Sequence, residues 1–137
     1  MSNVLAGIGR GQLKVLDQRV AKKKYIFEFY RRELGGLDGI EFMPVNDWNE
    51  PNYWLSCITL NGKIKPIDIM EALEADAIES RPLWKPMHMQ PFYAGYDFIG
   101  GDVSQKLFET GVCLPSDTKM TDEDLDRICR IIKGLWK

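Results

Sequence analysis

The sequence predicts a mixed α/β domain, α+β in style, in which helices pack on a small, mainly antiparallel sheet. Three observations predict it. The opening segment carries apolar residues at helical spacing, several short β-favouring stretches are bounded by turn residues, and the last stretch is amphipathic. Helices and strands are interspersed without the strict alternation of a parallel sheet, which favours antiparallel pairing.

Residues 2–34 read as one long N-terminal helix. Leu13, Leu16, Val20, Lys23, Phe27, Tyr30 and Leu34 recur at three-to-four spacing, all apolar but Lys23. Gly35 and Gly36 suit a left-handed helix end. Gly7, Gly9 and Gly11 disfavour helix by about 1 kcal/mol each against alanine. Either close backbone packing or an irregular first turn would account for them.

Residues 39–44 form a short strand that Pro44 stops, and residues 54–60 form the clearest strand, followed by an Asn61-Gly62 turn. Pro66 fits a first helical position, with a helix expected through Ala75. Residues 77–80 read as a strand leading into a proline-rich segment. Asp102 is placed to cap a helix bearing Val103, Leu107 and Phe108, with Gly111 at its end. Residues 112–114 make a short buried strand. Thr121 and Asp124 have the spacing of a capping box, with aspartate in place of the usual glutamate or glutamine. The last helix carries Leu125, Ile128, Cys129, Ile132, Leu135 and Trp136 on one face.

At 137 residues the chain fits one domain, residues 1–137, large enough for a real core. Its net charge of −2 provides no general field for nucleic acid or an anionic membrane, so any anion site is local. Lys22-Lys23-Lys24 and Arg31-Arg32 then read as a solvated helix face. No apolar run reaches membrane-span length, and no signal peptide is legible at the N-terminus. Cys57, Cys113 and Cys129 are odd in number and lack CxxC spacing, which argues against a disulfide framework or a zinc site. Buried free thiols in the cytoplasm fit better.

No self-contained catalytic motif is present: no GxSxG, Walker loop, HExxH or properly placed GxGxxG. The candidate ligand-binding segment is residues 79–91. Pro82, Pro86 and Pro91 forbid a regular helix there, so an extended, semi-rigid loop is expected. Arg81 could grip a phosphate or carboxylate through its planar fork, Lys85 could act as a point charge, and Trp84 could stack on a ring. His88 is the chain's only histidine. The plainer alternative has Arg81 paired with Glu79 and Trp84 in the core. No lysine is marked as a pyridoxal anchor, and Lys85 lacks an acidic companion.

Four stretches, in order, resemble the C-terminal portion of the DegT/DnrJ/StrS sugar aminotransferases: residues 1–13, 78–91, 107–116 (Leu-Phe-Glu-Thr-Gly-Val-Cys-Leu-Pro-Ser) and 121–125 (Thr-Asp-Glu-Asp-Leu). The wording around residues 81–91 is most similar to the branch that aminates UDP-linked 4-keto-6-deoxy sugars, as in bacillosamine-type pathways. The resemblance implies the small domain of a fold-type I pyridoxal-phosphate aminotransferase serving surface-glycan synthesis in the cytoplasm. It implies that the aldimine lysine and most cofactor contacts lie in a larger N-terminal domain. The family motif Asn, Tyr or His, Arg or Lys falls just before the Met-Ser that opens this chain. The chain therefore resembles an excised or mis-started C-terminal domain, expected to bind no pyridoxal phosphate and to be inactive alone, its partners being the missing domain, a second copy and a nucleotide-linked sugar. Arg81, Trp84, Lys85 and His88 would line the substrate side of the cleft. Many relatives have His-Tyr-Pro at Pro82-Leu83-Trp84, so sugar-contacting roles do not transfer position by position. His88 matches a family histidine that precedes Leu-Gln-Pro. Two readings compete: a free-standing nucleotide-sugar-binding module, and a protein-interaction domain using the glycine-rich first helix.

Overall fold

The computed structural model describes residues 2–137; Met1, where the first resembling stretch begins, lies outside the described residues. Five helices and four strands follow in the order α1 (Asn3–Leu13), α2 (Leu16–Leu34), β1 (Ile40–Phe42), β2 (Ser56–Leu60), α3 (Pro66–Glu74), β3 (Arg81–Pro82), α4 (Val103–Thr110), β4 (Gly111–Leu114) and α5 (Asp122–Gly134). Two 3-10 turns, Met87–Met89 and Pro91–Tyr93, lie between β3 and α4. The strands form one sheet, order β1-β2-β4-β3, with every pair antiparallel.

The register follows from burial. Ile40 pairs with Leu60 and Ile58 with Val112, so the apolar members of each strand share one face. That face meets Ile26, Tyr30 and Leu34 of α2, Ile69 and Leu73 of α3, and Leu125, Ile128, Cys129 and Ile132 of α5. Each such buried aliphatic side chain contributes about 1.5–3 kcal/mol. Along β2, Ser56, Ile58 and Leu60 are buried while Cys57 and Thr59 are half-buried, so the second face of the sheet is only partly covered.

The expected single N-terminal helix is two. The break falls at Lys14 and Val15, where Val15 adopts φ −115° and ψ 4° and its N–H bonds tightly back to the Gln12 carbonyl, at 3.1 Å. No α1 residue is buried, and Leu13 and Leu16 stand exposed, so no tertiary contact enforces one continuous axis. Added Cβ atoms at Gly7, Gly9 and Gly11 would meet nothing within 4 Å, so these glycines serve no close approach among the described residues. Nor is there a left-handed cap at Gly35, which has φ −66°; the positive φ falls on Gly39, at 79°, against Gly62.

The strand expected over residues 77–80 is absent because that backbone closes α3. Ala77 takes φ 58°, its N–H bonds to the Glu74 carbonyl (2.8 Å), and the Ile78 N–H bonds to the Leu73 carbonyl (2.9 Å). This is a Schellman closure with alanine in the position that usually holds glycine. Pairing starts only at Arg81, opposite Cys113. Asp102 makes no side-chain cap; its backbone is not extended, and its carboxylate instead meets Lys106 at 2.7 Å, which holds it below the usual carboxylate range. The Thr121–Asp124 capping box is fully formed: Asp124 N–H donates to Thr121 Oγ1 at 3.2 Å, and Thr121 N–H donates to Asp124 Oδ2 at 2.8 Å.

Candidate functional site

An open groove of about 670 Å³ runs along the partly covered sheet face, where the start of β2, the end of β4 and the β3 strand converge. Trp54, Ser80, Arg81, Leu83, Trp84 and Cys113 line it. Two indoles flank it, Trp54 and Trp84, 64% and 67% exposed, with centroids 6.1 Å apart and planes tilted by 36°. Trp84 is therefore not a core residue.

The segment after β3 is extended, as its prolines require. Leu83 is held by its N–H to the Gly111 carbonyl (3.4 Å), and its side chain lies where a Cβ on Gly111 would be. Only glycine lets β3 approach β4 this closely.

The Arg81 guanidinium is paired with Glu79, Nε to Oε1 at 2.7 Å. Both side chains are mostly exposed, 74% and 71%, so the pair is worth little and competes poorly with a better anion. Ser80 Oγ is shielded from solvent and has no hydrogen-bond partner.

Of the four residues expected to bind ligand, the structure brings Arg81 and Trp84 into one groove. Lys85 is exposed and outside the lining. His88 lies in a separate hollow, stacked on Phe98 at 4.0 Å and 22°, with Tyr93 and Tyr96 nearby. Sequence reasoning missed Trp54, which the strand assignment absorbed, and Ser80, which the displaced strand concealed.

It also missed Lys23. This residue is the polar member of the α2 stripe and turns inward, not outward with Lys22 and Lys24. Its Nζ donates to the Trp54 carbonyl at 2.9 Å and to the Ser116 carbonyl. Burial lowers its pKa and the Asp117 carboxylate opposes that. Tyr30 donates to the Pro115 carbonyl at 2.8 Å, and burial pushes its hydroxyl well above the ordinary tyrosine range. Ser116 Oγ accepts from the Ser56 N–H at 3.0 Å and donates to the Leu114 carbonyl at 3.0 Å. The corner beyond β4 that walls the groove is thus fixed from the helix side by two donors, Lys23 and Tyr30, and from the sheet by Ser116.

The groove sets two exposed indole faces beside one guanidinium. It does not fit the covalent anchor of pyridoxal phosphate. No lysine lines it, Lys23 has its ammonium committed to two carbonyls, and Lys85 stands outside. Among the described residues no cluster of His, Cys, Asp and Glu could hold a metal, and no described helix is long and apolar enough to cross a membrane.

A profile of the DegT/DnrJ/EryC1/StrS aminotransferase family matches residues 1–133. EpsN of Bacillus subtilis (strain 168), provisionally named a pyridoxal phosphate-dependent aminotransferase, is 43% identical over 99% of this chain and 36% of its own length. GDP-perosamine synthase of Vibrio cholerae is 33% identical over 99% of the chain and 38% of its own length. In solved structures the fold recurs in the aminotransferase TlmJ from Streptoalloteichus hindustanus, with a TM-score of 0.84 at 20% identity, over 94% of this chain and 35% of that one. The chain thus spans little more than a third of the length of the curated relatives it matches.

Proposed function

The chain belongs to the DegT/DnrJ/EryC1/StrS aminotransferase family, and on that premise we propose that residues 1–137 act as the C-terminal domain of a pyridoxal-phosphate-dependent aminotransferase. Its acceptor is a nucleotide-linked 4-keto sugar used in surface-glycan synthesis. The observation that carries the substrate side of this reading is the groove, with two exposed indoles beside an arginine whose present partner is a weak surface carboxylate.

Trp54 and Trp84 offer flat apolar faces to a nucleobase or sugar ring. Arg81 exchanges Glu79 for the pyrophosphate, which it can meet through two parallel N–H donors. Lys85 adds positive charge at the rim, and His88 orders the following loop by stacking on Phe98. Pyridoxal phosphate would supply the electron sink for amino transfer. With no lysine lining the groove, this chain's residues bind and orient substrate, and the proton transfers fall to residues outside the groove. The working enzyme is a cytoplasmic homodimer on the same family argument.

The test is a titration of the chain with UDP and a UDP-linked 6-deoxy sugar, followed by tryptophan fluorescence. Half a cleft should bind weakly, with Kd on the order of 1 mM, and Arg81→Ala should abolish the change. No fluorescence response up to solubility would overturn the substrate reading. A borohydride-trapped pyridoxal adduct at one stoichiometric lysine of this chain would overturn the division of labour.

A further inference from the structure

We propose that Cys57 and Cys113 are a modification site, closing to a reversible disulfide when a peroxide reaches the half-exposed Cys57 on the partly covered sheet face. The two residues are register partners on β2 and β4, the central pair of the sheet. Antiparallel partners have Cα atoms about 4.5–5.5 Å apart, inside the span of about 4.4–6.8 Å that a disulfide accepts. The sulfurs already face each other at 3.6 Å. Closure therefore needs side-chain rotation and no strand movement.

Access is asymmetric. Cys57 is half-buried, whereas Cys113 is 8% exposed and lines the groove. The Cys57 thiol gives its proton to solvent, its thiolate sulfur attacks a peroxide oxygen, the O–O bond breaks to leave a sulfenic acid, and the hydroxide expelled takes up that proton as water. Cys113 sulfur then attacks that sulfur, and the hydroxide expelled takes the Cys113 proton and departs as a second water. The thiols together lose two electrons and two protons, which the peroxide gains; a dithiol reductant reverses the change.

Cys129 cannot take part. It sits on α5 in the core, on the other side of the sheet, and is 2% exposed. Burial, with Cys113 beside it, pushes the Cys57 thiol up to about 12, so the thiolate is scarce at neutral pH and reaction is slow. The pair responds to sustained oxidant and is not a turnover peroxidase. The bond would tie β2 to β4 beside Arg81, the register partner of Cys113 on β3, and so would stiffen the strand that carries Cys113 into the groove.

The experiment treats the reduced chain with hydrogen peroxide in mildly alkaline buffer, caps free thiols with an alkylating agent, and reads intact mass and non-reducing peptide maps. Expected are a monomer lacking two hydrogens, a Cys57–Cys113 cross-linked peptide, Cys129 alkylated only after unfolding, and a higher thermal midpoint that a dithiol reverses. Cys57→Ala, at a half-buried position, should abolish the mass change, and Cys129→Ala should keep it. A sulfinic acid at Cys57 beside a free Cys113, a disulfide through Cys129, or cross-links only between chains would overturn the proposal.

Discussion

Lys23 Nζ lies 2.9 Å from the carbonyl oxygen of Trp54, so helix α2 grips the residue whose indole walls the groove. The same ammonium reaches Ser116 on the opposite wall. One lysine therefore sets the spacing between the start of β2 and the exit of β4. Lys23→Met keeps the stem and removes the donors, leaving two carbonyls short of partners. A loss of about 1–3 kcal/mol is expected, read by urea unfolding. Tryptophan fluorescence of the folded variant should also shift, and less so in a Trp54→Phe background; an unchanged spectrum and midpoint would mean the contact is incidental.

Arg81 and Glu79 make the second prediction. Their exposed pair should contribute no more than about 1 kcal/mol, so Glu79→Gln leaves the thermal midpoint nearly unchanged. Because Glu79 competes with an incoming anion, the same variant should bind UDP several-fold more tightly, while Arg81→Ala loses binding. Equal affinity of Glu79→Gln and the parent chain, measured at low salt, would remove Arg81 from the anion site.

Gly111 and Leu83 form a matched pair across the β3–β4 seam. Gly111→Ala forces a methyl into the Leu83 side chain and should cost about 1–3 kcal/mol by overpacking. Leu83→Ala in the same chain should recover part of that loss. A double-mutant cycle measures the coupling, and simple additivity of the two substitutions would refute the contact.

Ala77 is the stabilising prediction. An L-residue at φ 58° is strained by about 1–2 kcal/mol, while glycine gives back about 0.5–1 kcal/mol in unfolded-state entropy. Ala77→Gly should therefore raise stability by up to about 1 kcal/mol, visible as a higher urea midpoint at unchanged slope.

Alkaline pH should weaken the fold. Burial raises Cys129 from its ordinary 9.0 to about 12, and burial also raises Cys57 to about 12. The folded state holds these protons after the unfolded chain has released them. Their stabilisation is complete below pH 9.0 and is lost as pH climbs toward about 12. Tyr30, raised by burial from 10.0, acts in the same direction above pH 10.0. Urea midpoints measured across this range should fall, and less steeply in Cys129→Ala.

The sequence by itself determined the order of elements from β1 through α3 and from α4 through α5, the burial of Phe27, Tyr30 and Leu34 on α2 and of the α5 stripe, the Thr121 capping box and the family resemblance. Each of these rests on local spacing or on an ordered set of short motifs. The amphipathic period that buries Leu125, Ile128 and Ile132 is written in consecutive residues, and so is the capping pair.

The tertiary structure alone decided what depends on distant segments. The period through Leu13 and Leu16 promised one helix, but nothing packs on them, so the axis breaks at Val15. A strand over residues 77–80 was consistent with composition, yet the closure of α3 consumed that backbone. Trp54 meets Trp84 from thirty positions away, and Cys57 meets Cys113 across a strand pairing that no local pattern encodes. His88 and Arg81, close neighbours in sequence, part into different hollows because the 3-10 turn at Met87–Met89 directs the chain away from β3. Sequence spacing fixes which face of an element a residue takes; only packing between elements fixes which faces meet.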